Sequence, residues 1–430
     1  MPRMAAGGRA VRPGHVGHCG PGARRDSSAG VQEVEASSLL AEGQMKPRVR
    51  LAMVGCGGIA GAHCKGLEAL WNAGYREFEV VAACDVVRDR ATAMADEMAR
   101  WQGARPGVFD NVHALLGSKV QFDAADVCTL HCEHHTVAIP CLDAGKHVTI
   151  EKPLAVTLRA GRMMLDAAEK AGRILHVAEN YRLSPQHRAI RWAIQSGMVG
   201  QVRMIYWLQI RERVWHWGWR EHRLQAGAGW TLDGGVHYCD LFRYLIGPVR
   251  AVSASVQAFQ PFRYENAEAR TGHIPVDVED TSMAILEFES GALGLWVSTS
   301  AAPGESLGKN ILYGDRGSIA WDTGLKSDRQ QMTMEQLVQA HADSLTPAEK
   351  ERLFPKGITD GIAIELHQFI EALLGRGQVE TDGLEGYRAE AIALAVFESD
   401  RLGRKVALAE VEGLEVEAYQ GEINKALGIC

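Results

Sequence analysis

Residues 50–60 read RLAMVGCGGIA. The run from Arg50 to Val54 is short, apolar and ends in glycine, which predicts a buried strand. Gly55, Gly57, Gly58, Ile59 and Ala60 lie in a G-x-G-x-x-A pattern. Gly55 permits a tight strand-to-helix turn. Gly57 lets backbone approach a pyrophosphate at a helix N-terminus, and Ala60 keeps helix and strand close. A tight turn without ligand uses the same residue types. The apolar strand before it and the helix predicted over 59–70 favour a dinucleotide site.

On the C-terminal side the alternation continues. Strands are predicted over 78–84, 125–130, 147–151 and 174–178, and helices over 88–100, 138–144 and 158–171. This β-α-β rhythm predicts an α/β fold with a doubly wound parallel sheet. From about residue 180 the rhythm changes. A helix over 185–196 is followed by strand-like runs at 202–211, 249–258, 281–288, 292–299 and 308–313, joined by turns such as Ser290-Gly291. These predict a largely antiparallel or mixed sheet. Helices near 361–375 and 384–402 end the chain, and the polar stretch 323–350 reads as a surface insertion. Residues 1–46 are rich in Gly, Arg, Ser and Pro and read as a disordered tail, or as a start assigned upstream of Met45. The division expected is 1–46, a dinucleotide-binding domain over 47–178, and a substrate-binding and oligomerisation domain over 179–430.

Composition narrows the function. A chain of 430 residues suits two or three domains, and 46% apolar residues can build a large core. With 46 Lys+Arg against 53 Asp+Glu, net −7, no surplus positive charge is available to grip nucleic acid. No uncharged apolar stretch of about 18 residues predicts a membrane span. The nine cysteines are odd in number and several sit in apolar runs, which reads as a reduced, cytoplasmic set.

Three further places carry chemistry. Asp85 ends the second predicted strand, where a carboxylate can accept from ribose hydroxyls and favour NAD over NADP; a helix N-cap is the bland alternative. It lies 30 residues beyond Gly55, an excess that an insertion near 71–77 explains. Arg88 points the other way, because a nearby Arg can hold a 2′-phosphate. Residues 145–153 read GKHVTIEKP, a strand that delivers Glu151 and Lys152 to the ligand crevice or, more plainly, a solvated loop pair. Residues 233–240 read DGGVHYCD. On a helix, Asp233 and His237 are one turn apart on one face, as an oriented base or as a structural pair.

Taken together, the glycine loop, the GK-x-V-x-x-EKP segment and D-x-G-x-H some 80 residues later resemble the glucose-fructose oxidoreductase / inositol dehydrogenase / MocA family over about residues 48–410. Thr129 to His134 is similar to that family's T-P-N-x-x-H loop, with Leu130 and His131 in place of Pro and Asn. Tyr181-Arg182 with Pro185, and Gly314 to Ile319, match its Y-x-R-x-x-P and G-x-x-G-S-I segments. The resemblance implies a Rossmann domain, a second α+β domain with a large open, mostly antiparallel sheet that often mediates oligomers, and NAD as cofactor, NADP less so. It implies Thr129, His134, Glu151 and Lys152 on the cofactor side, and Lys152, Asp233 and His237 at the reacting hydroxyl of a sugar or cyclitol. His237 takes the proton, Lys152 stabilises charge on the oxygen, and Asp233 bonds substrate or His237. Tyr181 and Arg182 are expected beside the substrate. A homodimer or homotetramer through the second sheet is expected.

Two signals have competing readings. Residues 211–222, RERVWHWGWREH, read as a packed strand edge or as a substrate lid, with Trp215 and Trp217 stacking on a sugar and Arg213, Arg220 or His216 holding an acidic group. Trp219 is expected on the same face. Residues 131–135, HCEHH, with Cys128, suit zinc by type, but their spacing is poor for convergence and no metal is expected. A related alternative to net dehydrogenation is NAD-dependent glycoside cleavage by transient C3 oxidation and elimination, with Tyr181, Tyr238 or His216 as the extra base. The third alternative is a binding protein that keeps the fold without catalysis.

Overall fold

The structure, a computed structural model, describes residues 48–429. The expectation for residues 1–46 lies outside them. The first half is β1 (Val49–Val54), α1 (Gly58–Asn72), β2 (Phe78–Cys84), α2 (Arg88–Gln102), β3 (Gly107–Phe109), α3 (Val112–Leu116), β4 (Ala124–Val127), α4 (His134–Asp143), β5 (His147–Ile150), α5 (Leu158–Ala171) and β6 (Leu175–Val177). The strands form one parallel sheet in the order β3-β2-β1-β4-β5-β6. The order reverses at β1, so the carboxyl ends of β1 and β4 open a crevice there. Helix boundaries follow local chemistry. Helix α5 begins where Thr157 accepts the Ala160 N–H and ends on Gly172, whose φ of 61° glycine adopts freely.

After α6 (Pro185–Gln195), β7 (Val202–Ile210), α7 (Arg223–Ala226), α8 (Trp230–Asp233) and α9 (Gly235–Ile246) come β8 (Val249–Gln257), β9 (Phe262–Asn266) and β10 (Thr271–Pro275). Next are β11 (Thr281–Phe288), β12 (Leu293–Thr299), β13 (Leu307–Gly314), β14 (Gly317–Ala320), β15 (Gly324–Ser327) and β16 (Gln331–Met332). The chain ends with α10 (Met334–Ser344), α11 (Pro347–Leu353), α12 (Gly361–Leu373), α13 (Gly383–Leu402), β17 (Val406–Ala407), α14 (Leu408–Glu412) and α15 (Gln420–Leu427). Nine strands form an open sheet in the order β16-β15-β14-β13-β7-β12-β11-β8-β17. Only the β7–β12 pairing is parallel.

Side chains alternate across this sheet. Ala284, Trp296 and Trp207 lie side by side across β11, β12 and β7 and are buried in one core with residues of α9 and α13. The other face carries Met283, Ile285 and Leu293, each about half exposed.

Two expectations need correcting. The stretch 323–350 is not a surface insertion: β15 and β16 extend the sheet, and α10 buries Leu337 in a core with Ile190 and Leu312. Its polar residues are the outward faces of amphipathic elements, and Leu325 and Leu337 suffice to anchor them. Helix α12 does not stay with the second sheet. Its Ala363, Leu366, Phe369 and Ile370 share a core with Leu67 and Leu70 of α1. Each such buried aliphatic or aromatic side chain contributes roughly 1.5–3 kcal/mol.

Candidate active site

The glycine turn is built for close approach. Gly55 has φ +88°, and a Cβ there would lie 2.5 Å from the Cys128 carbonyl oxygen. Only glycine fits. A Cβ on Gly57 or Gly58 would meet nothing within 4 Å, so the space before α1 is open. Gly57 caps α1 without a side-chain bond, leaving the positive helix end for an anion. Ile59 and Ala60 complete the first turn. At the end of β2, Asp85 accepts the N–H of Cys56 at 2.7 Å and of Val87 at 2.8 Å. It therefore ties the glycine turn to the neighbouring strand end, and α2 takes Val87 rather than Asp85 as its N-cap. Arg88 is bound to Asp110 at 2.7 Å on the surface. These residues fit a bound dinucleotide.

Beneath the crevice lies a buried row of charge. His63 on α1 places Nδ1 3.0 Å from Asp126 and Nε2 3.0 Å from Glu151. Burial disfavours the charged ring, but the Asp126 carboxylate outweighs it and holds the pKa well above that of an ordinary histidine. His63, Asp126 and Cys128 are close enough for a metal, but both His63 nitrogens already face carboxylates. Glu151 thus turns inward, contrary to its expected cofactor contact. Its other oxygen accepts the Lys152 N–H at 3.2 Å, fixing the backbone from which the lysine departs.

The Lys152 ammonium donates to the Asp233 carbonyl at 2.7 Å and stands 3.7 Å from the Asp233 carboxylate. Burial works against the ammonium, but Asp233, Glu151 and Glu179 raise its pKa above the usual lysine value. The same Asp233 oxygen is 3.3 Å from His131 Nε2 and 3.3 Å from Arg220 Nε. Burial alone would lift the Asp233 pKa; Lys152, His131 and Arg220 instead hold it well below the carboxylate range. Asp233 ends α8 and His237 lies in α9, with a break at Gly234 where a Cβ would strike the Trp230 ring at 2.5 Å. The expected Asp233–His237 pairing is accordingly absent from the bonds of either residue. His237 Nδ1 instead meets Glu179 Oε2 at 2.5 Å, and its ring stacks on Tyr181 at 4.1 Å and 2°.

Other expected site residues diverge. His134 is fully buried, with Nδ1 3.0 Å from the Pro153 carbonyl and 3.1 Å from that of Leu154. It braces the Pro153–Leu154 backbone that follows Lys152. Arg182 is turned into the protein as the partner of Asp240 and Glu385. Its buried charge needs those carboxylates, which removes it from a substrate. Thr129 follows β4 at the crevice, its hydroxyl directed to the Leu130 carbonyl. Tyr181 keeps an exposed edge.

The segment 211–222 divides. Arg213 pairs with Glu221 and lies over Trp215 and Trp217, while Trp217 stacks on Trp230 at 5.5 Å. Trp230 in turn bonds Gln209, and Gln209 bonds Tyr238 beside His237. Trp219 leaves the expected common face: it sits in a short 3-10 turn, edge-on to His131 at 4.7 Å. The 131–135 run also scatters. His131 faces Ala226 and Asp233, His134 faces the Pro153 loop, and Cys132 contacts Glu133.

Sequence reasoning missed Glu179, the His131–Asp233 contact and the His63–Asp126 pair. Glu179 lies two residues past the end of β6, so the rule that strand ends face the crevice could have singled it out. No local spacing ties His131 to Asp233, because the two lie about 100 residues apart.

Comparison with known proteins agrees with this architecture. A model described as "Oxidoreductase family, NAD-binding Rossmann fold" matches residues 49–179, and one described as "Oxidoreductase family, C-terminal alpha/beta domain" matches 191–408. The chain is 30% identical over 344 residues to 1,5-anhydro-D-fructose reductase of Ensifer adhaerens, covering 78% of this chain and 91% of the relative. It is 26% identical over 366 residues to D-glucoside 3-dehydrogenase of Escherichia coli, covering 84% and 97%. Among solved structures, the WlbA dehydrogenase of Bordetella pertussis, in complex with NADH and UDP-GlcNAcA, shares the fold. Its TM-score is 0.66 at 23% identity, covering 85% of this chain and 99% of that one.

Proposed function

Because the chain belongs to the Gfo/Idh/MocA oxidoreductase family and is an NAD-dependent oxidoreductase, we propose that it transfers a hydride between the hydroxyl-bearing carbon of a sugar, cyclitol or sugar derivative and NAD. The observation that carries this reading is the Lys152–Asp233 bond, which joins the EKP loop to the D-x-G-x-H turn. The names of the relatives favour net hydride transfer over redox-neutral glycoside cleavage.

Bound NAD supplies the hydride acceptor. The protein supplies the rest. The Lys152 ammonium is charged at neutral pH and donates to the substrate oxygen as negative charge develops there. His237 receives the hydroxyl proton at Nε2, since Nδ1 is already bonded to Glu179. Base assistance of this kind contributes about 10²–10⁴-fold. Asp233 keeps Lys152 charged and aimed. Gly55, Gly57, Gly58, Ile59 and Ala60 cradle the pyrophosphate, and Asp85 stands where ribose hydroxyls would bind. With Arg88 held by Asp110, NAD rather than NADP is the cofactor this strand end suits. Trp217 and Trp230, backed by Trp215 and Arg213, form an aromatic wall suited to a pyranose face.

The division into a cofactor-binding part over 47–178 and a substrate-binding part over 179–430, the latter lending α12 to the core of the former, belongs to the same proposal. So does a homo-oligomer through the uncovered sheet face, and a cytoplasmic location, which the free thiols support. Among the described residues, no helix is long and apolar enough to cross a membrane. A panel of sugars, cyclitols and glycosides incubated with NAD tests the function. NADH formation with a matching keto product is expected; release of an aglycone without net NADH would favour the cleavage reaction instead.

A further inference from the structure

Burying a carboxylate is costly unless something compensates it. Glu179 is fully buried, and its Oε1 has no hydrogen-bond partner. Its Oε2 meets His237 Nδ1 at 2.5 Å. The imidazole at the other end of that bond is clamped flat by Tyr181, with ring centroids 4.1 Å apart. Tyr181 is itself stacked on His187, so the ring cannot rotate without disturbing both. Asp233, the carboxylate one turn before His237, is already engaged by Lys152, His131 and Arg220.

We propose that Glu179 is the positioning carboxylate of His237: it holds the proton on Nδ1, leaves Nε2 as the proton acceptor, and stabilises the imidazolium that forms. This rests on the reading of His237 as the base. The site then contains two separate pairs. Asp233 serves the lysine, and Glu179 serves the histidine. A carboxylate that fixes the tautomer of a catalytic histidine gives it both a direction and a counter-charge. The charged and titratable groups that face this pair are Lys152, Glu151, Asp240 with its partner Arg182, Glu365, His187, Tyr181 and Cys239. Glu365 stays protonated, because burial raises its pKa well above the usual value. Asp240 is neutralised by Arg182. Removing the Glu179 charge takes away the carboxylate in direct contact with His237, while Lys152 stays balanced by Asp233, so the imidazolium is disfavoured.

Histidine-selective 15N NMR of the full chain with NAD bound tests this without knowledge of the substrate. The His237 signals are assigned by their loss in His237→Gln. Neutral His237 should show the Nδ1–H form, and its titration midpoint should fall by at least about one pH unit in Glu179→Gln. Glu179→Asp, which keeps the charge, should hold the midpoint closer to that of the wild type and provides a second variant should Glu179→Gln fold poorly. An Nε2–H form in the wild type or in Glu179→Asp, or a midpoint unmoved in Glu179→Gln, would overturn the inference. If the tautomer is as expected but His237→Gln retains full turnover on the sugar panel, the hydride-transfer role of His237 fails while the Glu179 pairing stands.

Discussion

Lys152 and Asp233 are bonded twice over: the ammonium donates to the Asp233 carbonyl at 2.7 Å and stands 3.7 Å from its carboxylate. The two residues are 81 positions apart in sequence. Their contact ties the loop after β5 to the end of α8, the short helix before the one that carries His237. The ammonium thus has a fixed position before any substrate arrives, which is what electrostatic stabilisation of a developing charge requires.

Lys152→Met removes that charge while keeping the aliphatic stem. Turnover on the active sugar should fall at least about 10²-fold, the scale of losing one preorganised donor. NAD affinity, measured by fluorescence quenching, should change by less than about threefold. Turnover within a factor of about two of the wild type would remove Lys152 from the reaction.

The glycine turn separates folding from binding. Gly55→Ala forces a side chain into a φ of +88° and against the Cys128 carbonyl. It should cost at least about 2 kcal/mol from backbone strain alone, seen as a lower melting temperature. Gly57→Ala meets nothing in the protein. It should leave the melting temperature within about 2 °C and still weaken NAD binding, because the new methyl group occupies the path of the pyrophosphate. Equal destabilisation by both changes would contradict this division.

Asp85 holds two backbone N–H groups, of Cys56 and of Val87. Asp85→Asn can keep one acceptor but loses the charge. NAD affinity should drop about tenfold, the loss of roughly one charge-assisted hydrogen bond. NADP affinity should fall less, since the repulsion of a 2′-phosphate disappears as well. Isothermal titration with both cofactors decides it; a larger loss for NADP would refute the assignment.

Much of this was legible in the sequence, and the exceptions have physical causes. The predicted spans 78–84, 158–171 and 281–288 coincide with β2, α5 and β11 because continuous or alternating apolar residues are bounded by clear turn signals. The three-residue β3 is too short to show a period, and α10 hides its two anchor residues in a polar stretch. At the site, residues fixed by local motifs, such as Gly55 and Lys152, lie just past the ends of β1 and β5, as their strand patterns predict. Partners chosen across the fold were not legible. Spacing gave Asp233 to His237, but the break at Gly234 and the pull of Lys152, His131 and Arg220 took it elsewhere. His134 and Arg182 match family segments by residue type, and only the fold shows that both side chains are buried, on the Pro153–Leu154 carbonyls and on Asp240.

Stability should decline on mild acidification. Burial pushes His134 and His176 down to about 3 and His187 down to about 4, against an ordinary 6.5. Below pH 6.5 the unfolded chain binds protons that these folded histidines refuse. Each group then costs about 1.4 kcal/mol per pH unit until its folded pKa is reached. His63 does not offset this, because its pKa is raised and its contribution is already complete below 6.5; that contribution is lost only as pH rises. Stability to urea should therefore fall from pH 6 to 4.5, and His187→Asn should make that fall shallower by about one proton's share. A flat stability profile over that range would show that these rings take up protons in the native state.

The uncovered sheet face predicts association. Ile285 pairs with Leu295, which pairs with Tyr206, which pairs with Ile311, so one apolar row crosses four strands. Met283 and Leu293 flank it, and Met283, Ile285 and Leu293 are 53%, 51% and 51% exposed. An apolar surface of this breadth is rarely left in water, and a second copy of the same face offers the self-complementary cover that two-fold symmetry provides. Ile285→Asp places a charge at the β11 end of that row, between Met283 and the rest of the apolar face, where no cation stands directly beside it: its strand neighbours are Ser253 and Leu295. Sedimentation should show an oligomer for the wild type and a smaller species for Ile285→Asp, with the isolated subunit still folded because its core lies on the opposite face. A monomeric wild type would mean that this face does not mediate self-association.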